Sequence, residues 1–120
     1  MKKAILLVSH GSRSPKTKEE ILVLVNLLRG RLPGTIVDFA FLEIEPPSIP
    51  EGIDHCVAQG ASEVVVTLNF LNAGRHVNDD IPAIVHAAQE KYPQVKITIS
   101  KPVGQHPQIP NLFIDLINNA

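Results

Sequence analysis

Cysteine is almost absent from this 120-residue sequence, and long apolar runs are absent too. The one cysteine, Cys56, can neither close an internal disulfide nor supply a Cys-x-x-Cys pair of metal ligands, which fits a reducing cytosol. No apolar run approaches the ~20 residues that a transmembrane helix needs. Met1-Lys2-Lys3 and the residues after it resemble a signal peptide, but the apolar run is too short and ends in His-Gly-Ser-Arg. We therefore expect a soluble, cytoplasmic protein with no membrane partner.

An excess of charge of one sign is also lacking. Lys and Arg number 11, Asp and Glu number 12, and the net charge is −1 with no basic block. A nucleic acid or an anionic membrane surface is therefore not expected as a partner. The composition is that of a folded globular protein, with 44% hydrophobic and 19% charged residues. We predict a single domain over residues 1–120, with no repeat or linker.

The first apolar run predicts a buried strand that ends at a histidine. The segment from Ala4 to Val8 contains no polar residue and is followed by Ser9-His10-Gly11. A strand that is apolar on both faces is typical of the middle of a parallel sheet. Ligands of open α/β sheets bind outside the carboxyl ends of the strands, so we expect His10 at a ligand-binding edge.

Strand and helix patterns alternate along the rest of the chain. Further strands are predicted at 36–42, 63–68 and 96–100, and Asp38 interrupts the second in a way that favours an edge position. Helices are predicted to begin at Ser14-Pro15, at the capping-box spacing of Ser48, and at Asp79-Asp80. A last helix is predicted from about Pro107, with an apolar stripe of Leu112, Phe113, Leu116 and Ile117.

This βαβαβαβα pattern predicts an α/β fold. Short connections and right-handed crossovers favour a doubly wound, four-stranded parallel sheet in the order 2-1-3-4, as in flavodoxin-like domains. His10, Glu43 and His76 then all follow the carboxyl ends of neighbouring strands. Since neighbouring strands are ~4.8 Å apart, the three strand ends span only about 10 Å. Two imidazoles and a carboxylate suit a divalent ion such as Co, Fe, Ni or Zn.

Several segments resemble the small CbiX-type sirohydrochlorin chelatases, which are relatives of the SirB ferrochelatases. The resemblance covers nearly the whole chain and is carried by Ser9-His10-Gly11-Ser12-Arg13, by Phe41-Leu42-Glu43, by the segment from Ala73 to Pro82 and by Pro102-Val103-Gly104-Gln105-His106-Pro107. It implies a lyase that inserts Co²⁺, Fe²⁺ or Ni²⁺ into sirohydrochlorin, in cobalamin or siroheme biosynthesis. Members of this family use no ATP, and the sequence has no Walker-type nucleotide loop.

The resemblance also implies roles for individual residues. His10 and His76 match the family's metal-binding histidines, and Glu43 matches an acidic residue of the bacterial forms. We expect the histidines to deliver the cation, and Glu43 to take up pyrrole protons. Because imidazole must be neutral to bind a metal, activity should fall below about pH 6.

Sirohydrochlorin carries many carboxylates, and cationic residues at the same edge are expected to hold them. The candidates, chosen on position alone, are Gly11 and Ser12 through their backbone, together with Arg13, Arg75 and Lys101. Double-length family members place two such domains around the substrate, so the resemblance implies that this chain forms a homodimer. The N and O ligands accept all three ions, so the residues do not select the physiological metal.

The same residues are compatible with two other functions. A metal-storage or metal-delivery protein would use the same histidine pair but leave sirohydrochlorin unmetallated. A histidine phosphatase also places His-Gly after its first strand, but it needs an arginine before the histidine, where this chain has Ser9. Outside the site, His55 and His86 are predicted to be surface or structural residues, and His106 is predicted to be at least as suited to a turn as to the site.

Overall fold

Four parallel strands form the centre of the protein. The computed structural model describes residues 2–120, apart from the side chain of His76. The strands lie in the order β2-β1-β3-β4, and their bounds are β1 Lys3–Ser9, β2 Ile36–Phe41, β3 Glu63–Leu68 and β4 Lys96–Ile99. The helices are α1 Pro15–Arg31, α2 Ile49–Ala58, α3 Ile81–Lys91 and α4 Ile109–Asn118. The predicted α/β fold and strand order are confirmed.

The central position of β1 follows from its apolar sequence. Strand β1 pairs with β2 on one side and with β3 on the other, in parallel. Ala4, Leu6 and Val8 are completely buried. Asp38 lies on the edge strand β2, as predicted, where its carboxylate accepts a hydrogen bond from Gln59 at 2.7 Å.

Helices cover the two faces of the sheet unequally. One face packs against α2 and α3 in a large apolar cluster that includes Ile53, Cys56 and Ile81. The other face packs against α1 in a smaller cluster formed by Leu7, Ile21, Val25, Val37 and Phe41. Among residues 2–120, no helix is both long and apolar enough to span a bilayer.

The helix starts agree with the sequence in part. At α2 the predicted capping box is present: the backbone N–H of Glu51 donates to Ser48 Oγ at 3.3 Å, and Glu51 Oε1 accepts from the Ser48 N–H at 2.9 Å. At α1, Ser14 occupies the N-cap position but its side chain makes no capping hydrogen bond. Before α3, a short π-helical turn over His76–Asp80 precedes the predicted helix.

The last helix differs from its prediction. It begins at Ile109 rather than near Pro107, and none of its residues is buried. The four residues of the predicted stripe are 56–70% exposed. The stripe therefore exists in the sequence but does not face the core, since the main contact of α4 is with the short turn Val103–Gln105 before it.

Candidate metal and substrate site

His10 and Glu43 meet at the carboxyl edge of the sheet. His10 directly follows β1, and Glu43 lies shortly after β2. The imidazole Nε2 lies 2.7 Å from Glu43 Oε1, and the two side chains are 48% and 50% exposed. The side chains are thus in contact with each other and about half exposed, and the second ring nitrogen, His10 Nδ1, lies 3.3 Å from Gly11 O.

Backbone hydrogen bonds hold this pair in place. The pairing of β1 with β2 continues beyond the strands, since the Leu42 N–H donates to Ser9 O at 2.9 Å and the Glu43 N–H donates to His10 O at 3.1 Å. The two chain segments therefore stay aligned up to the functional side chains. A carboxylate on an imidazole nitrogen orients the ring and raises its basicity as a ligand.

Gly11 permits the close approach of these segments. Its φ is +108°, and a Cβ at this position would overlap the carbonyl oxygen of Glu43. On the other side of the contact, Ile44 has a φ of +77°, which is rare for a β-branched residue. Backbone strain of this kind, typically about 1–3 kcal/mol, is concentrated at functional sites.

Asn69, which was not among the predicted site residues, connects the end of β3 to the same edge. Its side-chain amide donates to Ser9 Oγ at 3.1 Å, and its backbone N–H donates to Val8 O at 2.8 Å. Ser9 is a buried polar residue. The position of Asn69 could have been predicted from the sequence, because a residue directly after an apolar strand lies at the edge of the sheet where ligands bind.

The backbone of His76 follows the loop after β3 and begins the turn His76–Asp80. The Asn78 N–H of this turn donates to Gly74 O, in the preceding loop, at 2.9 Å. The side chain of His76 lies outside the described part of the structure, so its meeting with His10 stays a prediction. Among the side chains that are described, no group of three or more His, Cys, Asp or Glu forms a metal-binding cluster.

Of the predicted substrate-binding residues, Gly11, Ser12 and Arg13 directly follow His10, whereas Arg75 and Lys101 lie in the loops after β3 and β4. Arg13, Arg75 and Lys101 are all exposed. The backbone N–H of Ser12 is already engaged, because it donates to Glu45 Oε2 at 2.8 Å. A carboxylate of the protein thus occupies a donor that was predicted to bind a substrate carboxylate.

A cavity of about 350 Å³ adjoins this donor. Its lining includes Arg13, Glu45 and Ile44, and also Lys18, a cation that the sequence analysis did not identify. A larger concavity, of about 490 Å³, lies at the amino end of the sheet near Asp38. The carboxyl edge differs from this concavity because the strand ends bring His10 and Glu43 together there.

The other histidines are engaged outside the His10–Glu43 pair. His55 Nδ1 lies 3.2 Å from Asp38 Oδ2, and His86 Nε2 lies 3.2 Å from Glu90 Oε1. His106 Nδ1 accepts a hydrogen bond from the Gln108 N–H at 3.0 Å, which gives it a role in the turn before α4. These placements agree with the surface and turn roles expected from the sequence.

Comparison with known proteins identifies the family. The sequence profile of the CbiX family matches residues 4–120. The chain belongs to the CbiX family. The sirohydrochlorin ferrochelatase of Bacillus subtilis strain 168 is 35% identical over 104 residues, which make up 87% of this chain and 40% of that protein. The sirohydrochlorin cobaltochelatase of Priestia megaterium is 38% identical over 104 residues, 87% of this chain and 34% of that protein.

A solved structure has the same fold as this CbiX-family chain. It is the sirohydrochlorin chelatase SirB from Bacillus subtilis subspecies spizizenii in complex with cobalt, with a TM-score of 0.88 and 30% sequence identity. The match covers 99% of this chain and 51% of the SirB chain. The chain therefore spans about half the length of the solved relative, and less than half of the two curated relatives. The resemblance to the CbiX family that the sequence motifs indicated is confirmed.

Proposed function

We propose that this chain is a lyase that inserts Co²⁺, Fe²⁺ or Ni²⁺ into sirohydrochlorin without ATP, in cobalamin or siroheme biosynthesis. The observation that carries the proposal is the His10–Glu43 contact of 2.7 Å, half-exposed at the carboxyl edge of the sheet. The names of the relatives, ferrochelatase and cobaltochelatase, support the reaction class. The N and O donors of this pair suit all three ions.

The reaction divides into metal delivery and proton removal. His10, together with His76, would hold the cation while it loses water, because neutral imidazoles bind these ions without enclosing them. Metal insertion replaces both pyrrole N–H protons by metal–nitrogen bonds, and the ion keeps its oxidation state. Glu43 would take up these protons one at a time and release them to water. Its contact with His10 also orients the imidazole ring.

We also propose that residues 1–120 act as one chelatase domain within a homodimer. The site is an open edge rather than a closed pocket, since His10 and Glu43 are each about half exposed. A second copy facing this edge would enclose the macrocycle and bring a second His10–Glu43 pair to it. Arg13, Arg75 and Lys101 would then bind substrate carboxylates at the rim.

An anaerobic absorbance assay with sirohydrochlorin and each ion tests the proposal. We expect His10→Ala and His76→Ala to lose about 100-fold or more in rate. His55→Ala and His86→Ala are matched controls, since these exposed histidines contact carboxylates elsewhere on the surface. Wild-type rates in both site variants would disprove the assignment.

The main alternative is a metal-delivery protein, because the same donors would bind a metal in either case. Metal binding is therefore measured separately, by titration of Co²⁺ without tetrapyrrole. Cobalt binding that depends on His10, with no metallation of sirohydrochlorin, would favour delivery over catalysis. Hydrolysis of a generic phosphate ester would favour the phosphatase alternative, which the family match disfavours.

A further inference from the structure

Three loops at the carboxyl edge of the sheet each expose a large apolar side chain. Among residues 2–120, the other well-exposed large apolar residues belong to α1, to Leu32 directly after it, and to α4. The three loop residues are Ile44 after β2, Leu71 after β3 and Val103 after β4, and they are 55%, 70% and 44% exposed. Apolar side chains grouped at a ligand-binding edge indicate a ligand that has an apolar surface of its own.

Ile44 is held in a strained backbone conformation. The Glu45 N–H donates to Glu43 O at 2.9 Å, and Ile44 between them has a φ of +77°. This γ-turn is the rare, strained form, and a β-branched residue tolerates it poorly. The Ile44 side chain is more than half exposed, so burial within the chain does little to offset the strain. Strain of this kind is concentrated at functional sites, which favours a binding role for the side chain.

Leu71 and Val103 lie in loops that contact each other through their backbones. The Gly104 N–H donates to Phe70 O at 3.0 Å, and a Cβ on Gly104 would overlap the carbonyl of Leu71. Each of the two apolar residues is therefore part of this contact or directly adjacent to it. The loops after β3 and β4 thus hold Leu71 and Val103 on the same part of the edge.

Ile44, Leu71 and Val103, which we call the apolar platform, extend across the position of His10. In the strand order β2-β1-β3-β4, Ile44 follows one edge strand, Val103 follows the other, and His10 follows β1 between them. Three strand spacings of ~4.8 Å place the outer strands of the platform about 14 Å apart. A flat ligand that rests on the whole platform would therefore lie over His10, whereas a bare metal ion is too small to span it.

Each residue of the apolar platform has an exposed cation near it, in the same loop or in the lining of the same cavity. The pairs are Lys101 with Val103, Arg75 with Leu71, and Arg13 with Ile44. This arrangement suits a ligand that is apolar in the middle and anionic at its periphery. Sirohydrochlorin has this distribution, because its carboxylates surround a flat ring.

We propose that the apolar platform binds one face of the sirohydrochlorin macrocycle and holds its pyrrole nitrogens over His10. The three side chains would act through burial of apolar surface, since none of them can donate a ligand to the metal or accept a proton. The inference deepens the proposed function and rests on it for the identity of the ligand. It assigns Ile44, Leu71 and Val103 to substrate binding, beside the cations expected to hold the carboxylates.

Anaerobic fluorescence titration with metal-free sirohydrochlorin tests the platform without any metal insertion. We expect Leu71→Ser and Val103→Ser each to raise the Kd by about 10-fold or more, because each removes an apolar side chain from the contact. Val23→Ser is the matched control: it removes the same side chain as Val103→Ser, from a position in α1 that is 59% exposed, and should leave the Kd unchanged. Titration with Co²⁺ should give the wild-type affinity in all of these variants.

Ile44→Asn separates binding from folding. Asparagine adopts a positive φ more readily than isoleucine, so the melting temperature should not fall. The Kd for sirohydrochlorin should nevertheless rise by about 10-fold, because the apolar side chain is lost. A lower melting temperature with an unchanged Kd would show that Ile44 serves the fold, and would overturn its assignment.

Steady-state kinetics provide a second measurement. The KM for sirohydrochlorin should rise with the Kd while kcat stays within about threefold, since an apolar contact is equally strong before and during metal insertion. Wild-type Kd and KM in all three platform variants would overturn the inference, as would a change in sedimentation velocity at unchanged Kd, which would mean that a second copy covers these residues. A chain that metallates sirohydrochlorin and has a wild-type Kd in every variant refutes the platform alone. A chain that binds sirohydrochlorin through the platform without metallating it refutes the proposed function alone.

Discussion

His10 and Glu43 are joined twice, once through their side chains and once through their backbones. The imidazole Nε2 lies 2.7 Å from the carboxylate Oε1, and the Glu43 N–H donates to the carbonyl of His10 at 3.1 Å. The backbone bond sets the distance between the two Cα atoms, and the side-chain contact then sets the orientation of the ring. Because of this double connection, we expect the site to be sensitive to changes in His10, in Glu43 or in Gly11, which lies against the carbonyl of Glu43.

Replacing the Glu43 carboxylate by an amide tests the role of its charge without changing the shape of the side chain. Glu43→Gln keeps the size of the side chain and a contact with His10, but it removes the proton acceptor. We expect the rate of metal insertion to fall by about 100-fold or more, while the affinity for Co²⁺ falls by about 10-fold to 100-fold. Parallel rate measurements and cobalt titrations test this. An unchanged rate would exclude Glu43 as the base, and Glu45→Gln is the matched control beside the site.

Gly11 and Gly30 should respond to alanine in opposite directions. In Gly11→Ala, the new Cβ would collide with the carbonyl of Glu43 at a φ of +108°, so we expect a loss of about 1–3 kcal/mol in unfolding free energy and a lower chelatase rate. Gly30 lies within α1 with nothing near its added Cβ, so Gly30→Ala should stabilise by up to about 1 kcal/mol. Urea unfolding measures both. Equal effects of the two substitutions would contradict the close approach at Gly11.

The single thiol should be unreactive in the folded protein. Burial raises the pKa of Cys56 from its ordinary value of 9.0 to about 12. At pH 8 the thiolate fraction therefore drops by about 1000-fold, and the thiolate is the form that reacts. Labelling with a chromogenic disulfide reagent, in buffer and in urea, measures the difference. Comparable rates in the two conditions would show that Cys56 is accessible in the folded state.

The contact between Tyr92 and Asp54 should make stability depend on pH at the acid end. The Tyr92 hydroxyl donates to Asp54 Oδ1 at 2.5 Å, and this bond, with a smaller contribution from Lys91, lowers the pKa of Asp54. A carboxyl with a lowered pKa stabilises the fold above its ordinary pKa, and this stabilisation is lost as the pH falls through the lowered value. Tyr92→Phe should therefore reduce stability at pH 7, and its difference from wild type should shrink below about pH 4.

Thermal unfolding between about pH 7 and pH 2.5 measures this dependence. Asp54→Asn is the companion variant, because it removes the titrating group and keeps the Tyr92 hydroxyl. It should show the same convergence with wild type at low pH. A gap between Tyr92→Phe and wild type that stays constant across the whole range would mean that the hydroxyl acts through packing rather than through the carboxylate charge.

Much of the fold was predictable because its signals are local. The apolar run Ala4 to Val8 predicted a central strand, and Asp38 predicted an edge strand; both are confirmed. The capping box at Ser48 depends only on residues three positions apart, so spacing sufficed to predict it. The position of His10 and Glu43 at one edge followed from strand order alone.

The packing of α4 was not predictable in the same way. Its apolar residues predicted a helix correctly, yet the same pattern suits a core helix and a helix that docks on another chain. The outcome depends on the path of the chain after β4, where Gly104 packs against the backbone of Leu71. Contacts between such distant segments leave no periodic signal in a single sequence.

By itself, the sequence determined the strands, the helices and the placement of two candidate ligands after neighbouring strands, because hydrophobic periodicity and turn residues act over a few positions. Tertiary structure alone decided three other features: the direct contact of His10 with Glu43, the occupation of the Ser12 N–H by Glu45, and the exposure of α4. Each of these depends on how segments far apart along the chain approach one another, and that approach is set by the packing of the whole fold.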